Sequence, residues 1–102
     1  MAEWVRVCAL EEFPPGSQRE VECGMGEPVA LFNVAGKIYA ISGLCPHEGG
    51  PLAEGYVEDG SVYCPWHAWR FSLEPSTEPP NELIRYYRTE IRDGALYVAA
   101  PA

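Results

Sequence analysis

The chain has 102 residues, with 15 acidic side chains against 7 basic ones and a formal net charge of −8. That length holds one domain with a modest core, and that charge argues against nucleic acid or an anionic membrane surface as a partner. No charged-then-apolar leader follows Met1 and no apolar run reaches membrane-spanning length, so a soluble, cytoplasmic protein is expected.

In chain order the pattern predicts an all-β fold. Residues 4–8 form a short apolar-rich strand, and Pro14-Pro15-Gly16 breaks any element after it. A second strand is expected over 19–23. Residues 29–34 and 37–41 flank Ala35-Gly36 as a hairpin, whose turn type stays open because Ala disfavours positive φ. Residues 56–58 and 61–64 flank Asp59-Gly60, and 83–92 and 95–99 flank Asp93-Gly94; both dipeptides are strong two-residue hairpin signals. In the last pair Tyr87, Thr89 and Ile91 are expected to face the core with Leu96 and Val98, leaving Arg88, Glu90 and Arg92 in water. No stretch sustains a 3.6-residue period, so at most a helical turn or two is expected. Residues 74–82, with Pro75, Pro79 and Pro80, read as a loop.

Two short clips concentrate the chemistry. They are Cys45-Pro46-His47 and Cys64-Pro65-Trp66-His67, with sixteen residues between them that include the Asp59-Gly60 hairpin signal. Each clip offers one thiolate and one imidazole. A single zinc of Cys₂His₂ type would accept these four donors, but zinc patterns commonly group Cys with Cys and His with His. Two irons, one held by two Cys and the other by two His, ask for the mixed pattern seen here. A Cys–His nucleophile is disfavoured because both clips carry the same pair and nothing supplies an oxyanion site. The chain's only histidines both fall in the clips. Cys8 and Cys23 lie in strand-like segments and read as packed thiols; a disulfide between them is the lesser alternative.

On these residues the stretch from Leu44 to Leu73 resembles the cluster-binding region of Rieske-type [2Fe–2S] proteins: C-x-H, a spacer of roughly fifteen to twenty residues, then C-x-x-H. The proline after each Cys and the run Gly49-Gly50-Pro51-Leu52 add to the likeness. The resemblance implies a Rieske-like antiparallel β-sandwich or barrel over 1–102, with a cluster-binding subdomain of loops and a hairpin at about 43–73. It implies a Rieske [2Fe–2S] cluster as cofactor, with Cys45 and Cys64 on an inner iron, His47 and His67 on an outer one, and two bridging sulfides. Neutral imidazole in place of thiolate raises the potential of such a cluster. The exposed imidazole N–H groups would couple electrons to protons, so the potential is expected to fall with rising pH on the alkaline side.

The chain also departs from the family pattern. High-potential relatives carry an extra Cys in each loop, joined as a disulfide; here Gly50 and Trp66 stand at those positions. Those relatives also carry hydroxyls two and four residues past the second His, where this chain has Trp69 and Phe71. Each missing hydroxyl lowers the potential by as much as about 60–130 mV, taking about 1.5–3 kcal/mol per charge-assisted bond and ~59 mV per tenfold. A low-potential member is expected, near the bottom of the roughly −150 to +300 mV range. Ala68 stands where many relatives have Gly, which constrains the backbone if φ is positive. Pro79-Pro80 resembles the proline loop that covers the cluster, with a plain surface loop as the alternative. Trp66 and Trp69 form either an apolar collar around the sulfides or ordinary packing, and Arg70 is a solvated cation or a guide for a partner.

Function follows from the resemblance. The expected protein is not an enzyme but a one-electron carrier. It passes electrons from a flavoprotein reductase to a terminal oxygenase, has no catalytic residues and binds no organic substrate. It is expected to be a monomer when free, meeting basic rims on its partners through its acidic surface. The alternative is a Rieske-like small subunit of a nitrite-reductase-type complex; retention of all four donors favours the working carrier.

Overall fold

Nine strands make up the regular structure among the described residues, 3–66 and 68–101, of this computed structural model. They are β1 (Val5–Ala9), β2 (Gln18–Val21), β3 (Val29–Val34), β4 (Lys37–Ser42), β5 (Tyr56–Glu58), β6 (Ser61–Tyr63), β7 (Arg70–Ser72), β8 (Arg88–Arg92) and β9 (Ala95–Ala99). Three single 3₁₀ turns, at Leu10–Glu12, Leu52–Glu54 and Asn81–Leu83, are the helical content of those residues. The strands form three antiparallel sheets, ordered β1-β9-β8, β2-β3-β4 and β5-β6-β7.

The middle sheet is covered on both faces, and the alternation along β3 and β4 says how. Ala30, Phe32 and Ile41 pack with Leu52, Val62, Phe71 and Leu73 on the side of the β5-β6-β7 sheet. Val29, Leu31 and Ala40 pack with Phe13, Tyr87, Leu96 and Val98 on the side of the β1-β9-β8 sheet. Burial on both faces explains why Val29–Phe32 reads as an unbroken apolar run instead of an in–out alternation. The outer sheets lie against a shared wall.

All three two-residue hairpin turns have both central residues in the left-handed region: Ala35 and Gly36 at φ 54° and 96°, Asp59 and Gly60 at 50° and 76°, Asp93 and Gly94 at 48° and 73°. This is the type I′ pattern, whose twist matches that of the flanking strands. The open question at Ala35 is thereby answered, at a strain cost of about 1 kcal/mol for a residue carrying a Cβ.

Several expectations change. The strand expected over 83–92 is ordered as β only from Arg88. Before it, the 85–87 segment stitches β4 to the terminal sheet: Tyr87 N–H donates to Ala40 O at 2.9 Å, Ser42 N–H donates to Arg85 O at 3.1 Å, and Tyr86 bridges Ile41. Ile91, expected in the core, is 45 % exposed, because it lies close to the turn on the edge strand of its sheet. Strand β7 was not anticipated. All four cysteines are unpaired thiols, with Cys8 buried and Cys23 half-buried. Burial, aided by the Glu22 carboxylate, pushes the Cys23 thiol above its usual pKa. Among the described residues no helix is long and apolar enough to cross a membrane.

Candidate metal centre

The first clip leaves β4 through a pinch. Gly43 N–H donates to Pro28 O at 2.8 Å, and a Cβ added at Gly43 would lie 2.6 Å from that oxygen, so only glycine passes there. Gly43 O then accepts from Leu52 N–H at 2.9 Å, and Leu44 bridges Pro51, closing the base of the loop. The second clip connects β6 to β7, whose Tyr63–Arg70 pair closes its base.

The two loops share one backbone design. Cys45 N–H donates to Gly50 O at 2.8 Å, and Gly49 N–H returns to Cys45 O at 2.7 Å. Cys64 N–H donates to Trp69 O at 2.8 Å, and Ala68 N–H returns to Cys64 O at 2.9 Å. In each loop the fifth residue, counting Cys as the first, has positive φ: Gly49 at 78° and Ala68 at 58°. The constraint anticipated at Ala68 is therefore real, since a residue with a Cβ occupies the place that glycine fills in the first loop. Within this common frame His47 is the third residue and His67 the fourth.

The design buries sulfur and exposes nitrogen. Cys45 and Cys64 are 2 % and 3 % exposed and lie in the core between the middle sheet and the β5-β6-β7 sheet. Their thiols are hydrogen-bonding neighbours. Burial pushes the Cys45 thiol up; the backbone N–H groups of His47 and Glu48, which both point at its Sγ, pull it down, and the Cys64 thiol adds to the rise. Backbone N–H groups aimed at sulfur also stabilise a thiolate when a cation takes the proton's place. His47 is exposed, and its ring stacks on Trp69 at 4.5 Å between centroids and 10° between planes. His67 lies outside the described residues. Among the described residues no three donors converge as one metal ion would require. A two-iron cluster divides its donors between two ends, and a buried thiol pair with an exposed imidazole fits that division.

Neighbouring residues complete the centre. A Cβ added at Gly50 would lie 2.8 Å from Cys64 Sγ and 3.2 Å from the Trp66 ring, so Trp66 covers Gly50 while remaining 56 % exposed. Trp69 is half-buried against the core, with Phe71 wholly buried beneath it and their centroids 6.4 Å apart. Arg70 is exposed. Pro79 and Pro80 line a cleft with Asp59, Ser61 and Arg70 along the side of the β6–β7 pair.

Three polar ties hold this unit in place, and none was visible in the sequence. Gln18 Nε2 donates to Ala53 O at 2.8 Å and Gly55 O at 3.0 Å, pinning the segment between the clips to β2. Asn81 Oδ1 accepts from Ser72 N–H at 2.8 Å, fastening the proline segment to β7. Glu27 accepts from Tyr87 Oη at 2.6 Å and Ser42 Oγ at 2.8 Å, beside the Gly43 pinch. Burial, then the bond to Glu27, pushes Tyr87 up to about 12. The Gln18 and Glu27 ties span 15 to 60 residues of chain and the Asn81 tie nine, so no turn-sized pattern announces them.

Comparison with known proteins agrees with this geometry. The sequence matches the Rieske [2Fe-2S] domain over residues 3–82. It is 35 % identical over 101 residues to the anthranilate 1,2-dioxygenase ferredoxin subunit of Burkholderia cepacia, covering 96 % of this chain and 93 % of that protein. The structure resembles the ferredoxin in a complex of reduced oxygenase and oxidized ferredoxin in carbazole 1,9a-dioxygenase, with a TM-score of 0.82 at 29 % identity over 96 % of this chain and 94 % of that one. It also resembles a protein from Mycobacterium tuberculosis described as an NADH-dependent nitrite reductase small subunit, with a TM-score of 0.86 at 25 % identity over 100 % and 98 % of the two chains.

Proposed function

The chain belongs to the Rieske [2Fe–2S] family, and from that premise we propose that it is the one-electron carrier of an oxygenase system, taking electrons from a flavoprotein reductase and handing them to a terminal oxygenase. In this reading Cys45 and Cys64 hold the inner iron and His47 and His67 the outer one, within a cluster-binding unit of about residues 43–73 of one Rieske domain. The observation that carries it is the pair of buried, neighbouring thiols in loops whose His47 imidazole is exposed.

When bound, the cluster takes up and gives back a single electron. The rest is the work of the chain. The middle sheet and Leu52, Val62 and Phe71 keep water from the thiols, which strengthens every charge interaction there. The N–H groups of His47 and Glu48 hold Cys45 Sγ in place. Exposure of His47 leaves the outer end open to a partner. Between residues 43 and 73 Glu48, Glu54, Glu58 and Asp59 are exposed and Arg70 is the one Lys or Arg, which suits a partner with a basic rim. A reducing cytoplasm suits four unpaired cysteines.

Iron and labile-sulfide analysis of anaerobically purified protein, with paramagnetic resonance of the reduced form, tests the centre. Red-brown material containing two irons and two sulfides per chain is expected, whereas colourless zinc protein would refute the reading. The rate of reduction by the cognate reductase should fall as salt rises, and a salt-independent rate would remove charge steering from the account. The likeness to the nitrite reductase small subunit favours a second reading, a subunit of a reductase complex. Affinity capture from the native cells separates the two: an oxygenase with a flavin reductase supports the carrier, and a stably bound sirohaem reductase supports the subunit.

A further inference from the structure

The shared backbone frame of the two loops exposes a reciprocal exchange of side chains. Count each loop from its cysteine. The third residue of the first loop, His47, stacks on the sixth of the second, Trp69, with centroids 4.5 Å apart. The third residue of the second loop, Trp66, lies on the sixth of the first, Gly50, with its ring atoms 3.2 Å from where a Cβ there would be. Each loop thus lays its third residue across the gap onto the sixth residue of the other. The two sixth residues are also those whose carbonyls accept the N–H of Cys45 and Cys64, so both crossings rest on the backbone that frames the thiols.

The two crossings are unlike in a complementary way. Gly50 has no side chain, and the slot it leaves is bounded by Cys64 Sγ, 2.8 Å from the missing Cβ, and by the Trp66 ring. Trp69 supplies a broad flat surface, and near-parallel stacking at 10° limits the tilt of the His47 ring. With no cysteine at positions 50 and 66, the loops have no covalent link at this place. We propose that Trp66 and Trp69 are positioning residues that fasten the two loops to each other over the Cys45–Cys64 pair. Trp69 fixes the plane of the His47 imidazole, and Trp66 fills the Gly50 slot beside Cys64 Sγ. This rests on the Rieske reading of the site.

The test compares anaerobically purified holoprotein with Trp69→Leu, Trp69→Phe, Trp66→Leu and Trp66→Phe. Iron and sulfide content, the g-values of the reduced protein and the rate of bleaching by a ferrous chelator are measured on each. A stacked ring pair is worth about 0.5–1.5 kcal/mol, so Trp69→Leu should bleach roughly two- to twelvefold faster than wild type, and Trp66→Leu, which uncovers Gly50, should also bleach faster than wild type. Each Phe variant, which keeps a ring, should stay within about twofold. Trp69→Leu should also shift the g-values, which a merely structural loss would leave alone, and Trp69→Phe should restore them. If a Leu variant fails to load, full loading of its Phe counterpart supports the role of the ring and failure of both overturns it. Loaded wild type with Leu variants of unchanged bleaching rate and g-values overturns this inference alone; wild type lacking iron and sulfide overturns the Rieske reading and this inference with it.

Discussion

The β1-β9-β8 sheet and the β5-β6-β7 sheet cover opposite faces of the same middle sheet, yet they are built by different means. The terminal sheet has five-residue strands and joins the two ends of the described chain through the β1–β9 pairing. Its half of the core is filled by Phe13, Leu96, Val98 and other ordinary side chains. The cluster sheet has three-residue strands, two hydrogen-bonded loops and two thiols in the middle of its packing. The contrast teaches where stability is intrinsic and where it depends on a ligand. A sheet that closes on apolar side chains needs nothing more, whereas one that closes on paired thiols is complete only with the cofactor in place.

The largest effect should come from cutting the cluster sheet's dependence on its ligand. Cys64→Ser should abolish the visible absorption altogether, while circular dichroism keeps its β signature and amide protection falls across 44–72 alone. Equal loss of protection in β1 and β9 would erase the contrast between the two sheets. Next comes Phe71→Tyr, which returns one hydroxyl the family pattern places near the cluster. Its midpoint potential should rise, by as much as about 60–130 mV, in a spectroelectrochemical titration. An unchanged potential would mean that the buried ring does not reach the sulfides.

A smaller effect belongs to the terminal side. The folded pKa of Tyr87 is raised to about 12 against an ordinary 10.0. The neutral phenol therefore contributes stability that is complete below pH 10 and is lost as pH climbs towards 12, at most about 2–3 kcal/mol at 1.36 kcal/mol per unit. Urea unfolding of wild type and Tyr87→Phe across that range should show a steeper alkaline decline in wild type; parallel curves would deny the Tyr87–Glu27 bond this role. The smallest effects are two substitutions at left-handed alanines. Ala35→Gly should raise global stability by about 0.5–1 kcal/mol, and Ala68→Gly should slow chelator bleaching by a similar free energy, about two- to fivefold. The comparison sharpens if the first leaves bleaching untouched and the second leaves the β1-β9-β8 sheet untouched.

Legibility in the sequence followed the range of the forces involved. Hairpin strands with Asp-Gly turns were readable because a two-residue turn is a local decision. The clips were readable because thiol and imidazole at fixed spacing are rare together. Strand β7 was not, since Arg70–Ser72 is only three residues long and owes its strand form to pairing with β6. The start of β8 was overextended because Tyr86 and Tyr87 look strand-like but are held by bonds to β4 instead. Ile91 was misplaced because alternation reports a side of the strand and not whether anything lies over it. Gln18, Asn81 and Glu27 were missed for one reason: each acts on backbone or side chains brought near only by the finished fold.

The doubly covered middle sheet has a consequence for change by mutation. Phe32 and Leu31 are neighbours in one strand, yet the first presses toward the thiols and the second toward the chain ends. Because close-packed interiors transmit strain, a bulkier residue facing the termini cannot be absorbed on its own side without displacing the floor on which the Cys45 and Cys64 thiols stand. Redesign far from the electron-carrying tip would therefore be felt at that tip.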